Sequence, residues 1–343
     1  EGELMKKRDG VLIGVGIIVI LALMWWAGIE ETIELIIRAD LRFLLLALLM
    51  QVFATLAWIF RWGIFLKRAE VVVRTRDILI ATLVGVFANN LTPGARAGGE
   101  PARMYVIAKR SDSTYGQVFA TIMADRILDV IPVLLFTLVA FKYALSLKIK
   151  LLLSVLSLST AALLMIVFIS LLISLNENLT FKLLSKITNL GKRIFPERFA
   201  GIEATIEERL RKSILEFRET FLELSKDPVV MGKTLFYSLA LWGFMLLRTY
   251  FVFESVGYHL EIYKILMVQM AGIALGMISI LPGGVGITEA VNSALYLSLR
   301  ISKSLAVSAT VLDRFISFWL PTIIGGGLSI YLGTKFTQKS VRK

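Results

Sequence analysis

Cysteine is absent from the 343 residues, and histidine occurs once, at His259. The first absence excludes disulfides, thiol nucleophiles and thiolate metal sites, and the second excludes a centre built on several imidazoles. Neither a metal nor a cofactor is expected. The chain also lacks a phosphate-binding P-loop, a dinucleotide fingerprint and any Ser-His or His-Glu-x-x-His constellation, which removes the common nucleotide-dependent and hydrolytic enzymes. Charge is scarce at 19% of residues, and the excess is positive, +12. The lysines and arginines sit in short runs between apolar segments, so they read as topological signals and not as a nucleic-acid surface.

What the sequence has is apolar residues, 57% of the total, with a mean hydropathy of +0.75. A soluble domain of this length cannot hide so much in one core, and an all-α integral membrane protein is expected. A hydrocarbon core of about 30 Å takes about 20 helical residues. Six stretches qualify as full transmembrane helices: 11–28, 43–66, 116–141, 151–175, 229–256 and 303–333. The first is read as a retained helix and not a signal peptide, because no small-residue cleavage site follows it. Residues 1–4, ahead of Met5, are set aside, leaving 5–343 as a single polytopic membrane domain.

Two further apolar stretches are broken. Residues 78–92 stop at "NNLTPG" and 100–109 follows; residues 262–281 stop at "LPGGVG" and 289–299 follows. Neither second limb is long enough to cross, so each pair is expected to be a re-entrant helical hairpin. The basic runs agree with this topology. Lys6, Lys7 and Arg8, then Lys67, Arg68, Arg74 and Arg76, then Lys109 and Arg110, and finally "KFTQKSVRK" all fall on the cytoplasmic side, with both termini inside; Lys142, Lys148 and Lys150 are outside exceptions. Segment 176–227 is then cytoplasmic. Within it Phe199, Ile202, Ile206, Leu210, Ile214, Phe217, Phe221 and Leu224 recur at helical spacing. This amphipathic helix is expected to lie on the inner membrane surface or to pack with 179–194, with the second preferred.

The two broken segments resemble each other. Setting "LTPGARAGGEPA" against "ILPGGVGITEAV" aligns Pro93 with Pro282, Gly94 with Gly283 and Glu100 with Glu289, and "ADRILDVIP" against "LDRFISFWLP" aligns Asp125-Arg126 with Asp313-Arg314. The chain therefore reads as two repeats, about 43–141 and 229–333, whose hairpins enter from opposite sides. This is an inverted repeat, an arrangement that brings broken helices together near the midplane to form a substrate site.

Backbone N–H groups at such breaks, with a helix dipole behind them, favour an anion. Arg96 and Arg103 flank the first break as candidate phosphate ligands. With them we group Asn90, Gly94, Gly98 and Gly99 in the first hairpin and Gly283, Gly284 and Gly286 in the second. Asp125, Arg126, Asp129, Asp313 and Arg314 fall near the bilayer centre, where an isolated charge costs on the order of 3 kcal/mol or more. With Glu100 and Glu289 they are expected to form a charge network or to exchange protons, with pairs such as Arg126 to Glu289 or Arg314 to Glu100. Arg61, between Trp58 and Trp62, reads as an interfacial anchor, and Arg248 and Glu254 as snorkelling groups.

The motifs "NNLTPGARAGGEPARMY", "LPGGVGITEA" and "DRFISFWLPTIIGG" resemble the membrane region of the lysylphosphatidylglycerol synthase and flippase-like family over roughly 10–335. The family pattern maps onto Asn90, Pro93, Gly99, Glu100 and Arg103, and onto Pro282, Gly283, Gly284, Gly286, Glu289 and Ala290. Arg96 is displaced by one residue from that pattern, and Thr288 stands where an arginine is frequent. The resemblance implies transbilayer movement of an anionic lipid, either a phospholipid or a polyprenyl-phosphate-linked sugar, with membrane lipids as partners and no nucleic acid. It does not carry over the synthase chemistry, which belongs to a soluble domain. The expectation is thus a non-enzymatic lipid flippase of the cell membrane, with a homo-oligomer or a soluble enzyme partner left open. Two alternatives stand beside it: a secondary transporter of a small hydrophilic solute, and the membrane subunit of a lipid-modifying or glycosyltransferase enzyme.

Overall fold

The computed structural model describes residues 2–92, 98–176, 203–278 and 281–341, with isolated positions between 178 and 186. Every element in it is helical. In chain order these are α1 (Gly2–Ile37), α2 (Leu41–Arg68), α3 (Thr75–Leu91), α4 (Gly99–Ala108), α5 (Tyr115–Leu147), α6 (Lys150–Leu175), α7 (Glu203–Lys226), α8 (Pro228–Ser255), α9 (Ile262–Ile278), α10 (Ile287–Ser298), α11 (Lys303–Arg314) and α12 (Leu320–Val341). A single 3₁₀ turn, Pro282–Gly284, precedes α10, and a π turn, Phe315–Trp319, joins α11 to α12.

Five helical stretches among the described residues are long and apolar enough to cross a membrane: Leu41–Arg68, Tyr115–Leu147, Lys150–Ile169, Pro228–Ser255 and Lys303–Gly333. The expected first span is instead part of the longer α1, which runs past its predicted end to Ile37 and is interrupted at Gly28 (φ 99°). Large apolar side chains such as Leu138, Phe168, Phe236 and Ile323 point outward, as a lipid solvent demands.

The helix ends follow from local chemistry. Asp40 accepts the Arg42 N–H (2.8 Å) at the start of α2, and Lys67 and Arg68 occupy its last turn, where the helix dipole favours cations. Thr114 and Gln117 form a capping box at α5, and Asp227 caps α8 with Pro228 behind it.

The broken segments have matching dimensions. Their first limbs, α3 and α9, are both 17 residues long; their second limbs, α4 and α10, have 10 and 12. At 1.5 Å per residue the second limbs reach only about 15 to 18 Å, short of a crossing. The breaks touch each other: a Cβ built on Gly283 would lie 3.1 Å from the Asn90 carbonyl oxygen, and Asn90 Nδ2 donates to Thr322 Oγ1 at 2.6 Å. Gly283, Gly284 and Gly286 all have positive φ, which an L side chain tolerates poorly.

Helix α7 does not take the less favoured of its two expected places, the inner membrane surface, and packs on α5, while the preferred partner, 179–194, lies mostly outside the described residues. Its apolar face, Ile214, Phe217, Phe221 and Leu224, is buried in the protein, with Phe217 against Phe119 of α5 (5.4 Å between rings). Gly116 permits the approach, since a Cβ there would lie 2.4 Å from the Ser213 carbonyl oxygen. Arg68 ties this helix and the next to the end of α2 through Glu223 (2.6 Å) and Asp227 (2.9 Å). A protein surface outcompetes a lipid headgroup layer here because it offers close packing and fixed ion-pair partners together. Phe199, Ile202 and most of 179–194 lie outside the described residues.

Candidate functional site

The intramembrane charges gather into two clusters, one around Asp125 and Arg126 of α5 and one around Asp313 and Arg314 of α11. In the first, Arg61 of α2 is 2% exposed and donates to Asp125 (2.7 Å), to Ser238 Oγ (2.6 Å) and to Asp129. Asp125, fully buried, also accepts from Trp58 Nε1 (2.9 Å) and from Arg103 (3.2 Å). Trp242 Nε1 donates to Asp129 at 3.1 Å, and Arg126 pairs with Glu100. In the second, Arg248 of α8 holds Asp313 through two bonds (2.9 and 3.1 Å) and donates to Gln51 (2.8 Å), while Arg314 pairs with Glu289 (2.8 Å) and donates to the Gly283 carbonyl (3.1 Å).

The two clusters use the same parts. Each has an arginine from an earlier long helix, α2 or α8, bound to the aspartate of the Asp-Arg pair, 64 residues apart for Arg61 and Asp125 and 65 for Arg248 and Asp313. Each has the next arginine bound to the hairpin glutamate, 26 and 25 residues apart. Asp125 and Asp313 both stand ten residues after the first residue of their helix, about 15 Å along it.

Several expectations are corrected by this geometry. The pairs Arg126–Glu289 and Arg314–Glu100 do not form; each arginine takes the glutamate of its own hairpin, which packs directly against its helix. Arg61 is no interfacial anchor and Arg248 does not snorkel, because both are buried among carboxylates. Glu254 instead pairs with His259 (2.7 Å). One backbone N–H at the start of each second limb already has a partner within the chain. Gly99 N–H donates to Asn89 Oδ1 and Gly286 N–H to Glu289 Oε2, each at 2.7 Å, so one first-turn donor of each helix is satisfied by a side chain. Gly98 caps α4 without a side-chain bond, and Gly284 N–H bonds the Leu281 carbonyl at 2.9 Å. Gly94 and Arg96 lie outside the described residues.

Arg103 is the exception in an otherwise matched network. Its guanidinium is fully buried, lies 3.9 Å from the Trp62 ring and 5.0 Å from that of Trp58, and reaches one acceptor, Asp125. Its Nε and Nη1 have no hydrogen-bond partner. Gly85 makes room for it, since a Cβ there would lie 2.5 Å from Arg103 Cγ. A recess of about 400 Å³ at Glu30, Ile33, Glu34, Ile37 and Arg38 contains none of these residues.

Sequence reading missed Arg61, Trp58, Trp62, Trp242, Arg248, Gln51 and Asn89. The arginines carried a signal: Arg61 and Arg248 precede their aspartates by nearly the same distance. The tryptophans and amides carried none, because their roles depend on which helix faces them.

Comparison with known proteins identifies the family of the chain. The family described as lysylphosphatidylglycerol synthase TM region matches residues 11–325. A UPF0104 membrane protein of Pyrococcus horikoshii is 46% identical, covering 94% of this chain and 96% of the relative. UPF0104 membrane proteins of Methanothermobacter thermautotrophicus and Methanocaldococcus jannaschii are 28% and 27% identical, covering 99% and 93% of this chain and 100% and 93% of the relatives. With a match of that extent and with the hairpin and Asp-Arg motifs in place, the chain belongs to the lysylphosphatidylglycerol synthase transmembrane-region family.

Proposed function

We propose that the protein is a lipid flippase of the cell membrane, which moves an anionic lipid between leaflets while the lipid tail stays in the bilayer. The observation that carries this reading is Arg103, a buried cation with two donor nitrogens, Nε and Nη1, that lack acceptors. Arginine cannot shed its proton at any working pH, and Trp62 covers one face of it, so its unmet demand is for an anionic oxygen acceptor. A lipid phosphate is such an acceptor, whether it comes from a phospholipid or from a polyprenyl-phosphate-linked sugar.

In this reading α2–α5 and α8–α12 are inverted repeats, and α3–α4 and α9–α10 are re-entrant hairpins entering from opposite leaflets. The equal first limbs, the short second limbs, the paired charge clusters and the Asn90–Gly283 contact support it. The headgroup passes where the breaks meet, and the repeats rock against each other to expose Arg103 to one leaflet at a time. The ion-pair network is not retained for stability alone, because buried pairs of this kind are often replaced by apolar residues without loss. No step breaks a bond, so no enzymatic activity is proposed, and both termini lie in the cytoplasm.

The test uses protein in liposomes carrying trace fluorescent anionic phospholipid or polyprenyl-phosphate sugar, with dithionite added outside. Wild type should expose the inner-leaflet probe. Arg103→Ala should slow this by about ten- to a hundredfold, the worth of one charge-assisted hydrogen bond, and Glu100→Gln should slow it as well. Failure of every lipid probe to move, or an Arg103→Ala rate equal to wild type, rejects the reading.

A further inference from the structure

Unmet hydrogen-bonding atoms on α9, α10 and α11 are oxygens, two of amides, which only accept, and three of hydroxyls. Five buried side-chain oxygens on α9, α10 and α11 have no partner: Gln269 Oε1, Thr288 Oγ1, Asn292 Oδ1, Ser293 Oγ and Thr310 Oγ1. The Gln269 amide is oriented by its nitrogen, which donates to the Met245 carbonyl (3.2 Å) and to Thr249 Oγ1 (2.8 Å). Its oxygen is therefore a pure acceptor with nothing to accept. Asn292 Oδ1 lies against α9 at Gly272, where a Cβ would come within 2.8 Å of it. Gln269 and Gly272 share one face of α9, three residues apart, and Thr288 and Asn292 share one face of α10, four apart. Ser293 and Thr310, 1% and 2% exposed, stand one turn from Glu289 and Arg314 on facing helices, so the Glu289–Arg314 bond brings them opposite each other.

We infer that this face of the second hairpin is a binding site for a monovalent cation, with Asn292 and Thr288 as principal ligands and Gln269 as the adjoining one. Neutral oxygens in number are what an alkali cation takes, and broken helices in transporters are where such ions sit. A divalent ion is disfavoured, because no free carboxylate is offered: Glu289 is held by Arg314 and by the Gly286 N–H, and Asp313 by Arg248 and Thr249. The first repeat has no counterpart, since the residues that correspond to Thr288 and Asn292 by their offsets from the hairpin glutamate are Gly99 and Arg103. The two hairpins thus divide the work, one facing an anion and the other a cation.

The site stands without the flippase reading; only its use as a coupling ion rests on that reading. The test is equilibrium binding of radioactive sodium to the purified full chain in detergent, with unlabelled sodium or choline as competitor. Saturable binding displaced by sodium and not by choline is expected, weakened about tenfold or more in Asn292→Ala and in Thr288→Val. Asn292→Asp keeps the side-chain volume and adds a charged oxygen, so it should bind sodium more tightly and make binding fall in acid. No saturable binding by wild type, or equal binding by wild type, Asn292→Ala and Asn292→Asp, overturns the proposal and leaves these oxygens hydrated only. Sodium binding without lipid movement in the dithionite assay would reject the flippase and keep the site.

Discussion

Arg61 and Arg103 lie on the same aspartate, yet their surroundings predict opposite consequences of losing them. Arg61 satisfies Asp125, Asp129 and Ser238 together. Arg61→Met strands carboxylates in a buried site and should cost about 3–5 kcal/mol, measured by denaturant or thermal unfolding in detergent. Arg103→Met leaves Asp125 with Arg61 and Trp58 and removes two idle donors, so roughly 1 kcal/mol is expected. Transport should rank the other way, with folded Arg103→Met the more impaired per molecule. Outside the bilayer, Asp227 accepts from Val230 and Val229 N–H and from Arg68, and these bonds, led by Val230, hold its carboxyl below the ordinary carboxylate range. A depressed folded-state value means that the stabilisation is fully present above the ordinary carboxylate pKa and is lost as pH falls through the folded one. Protection from hydrogen exchange at the α7–α8 junction, taken relative to the intrinsic rate at each pH, should therefore fall in acid below that range, and Asp227→Asn should flatten the dependence.

Among elements, the hairpins depend on close backbone approach. A Cβ on Gly99 would lie 2.6 Å from the Gly85 carbonyl and 2.3 Å from Asn89 Nδ2, so Gly99→Ala must part α3 from α4. A loss of about 1–3 kcal/mol is expected from unfolding measurements. Gly243 on α8 has nothing within 4 Å of a built Cβ, and Gly243→Ala should leave stability unchanged or raise it by up to about 1 kcal/mol. Equal losses at the two positions would contradict the packing described. The sequence announced both breaks through their Pro-Gly runs and short second limbs. It did not announce that Asn89 and Glu289 would take the freed N–H groups, because either residue type is equally at home on a helix surface.

For the whole molecule, the absence of cysteine makes topology directly measurable with single-cysteine variants and a membrane-impermeant thiol reagent. Lys67 and Lys109 bracket the first hairpin, and Arg300 follows the second. If both hairpins are re-entrant, Lys67→Cys and Lys109→Cys should label from the same side and Arg300→Cys from the other. Labelling of Lys67→Cys and Lys109→Cys from opposite sides would make α3–α4 cross the membrane and would end the inverted-repeat proposal.

The sequence by itself determined that this chain is a helical membrane protein with long apolar helices, six by its own reading against five among the described residues, and with two interrupted ones and a recurrent Glu and Asp-Arg pattern. Those features are local or periodic, and hydrocarbon permits few other structures for such a chain. Tertiary structure alone decided who pairs with whom. Arg126 takes Glu100 and not Glu289, Arg61 turns inward to Asp125, and α7 folds onto α5. A charge in a low-dielectric bundle binds the partner that packing brings within reach, and sequence separation carries no record of that distance.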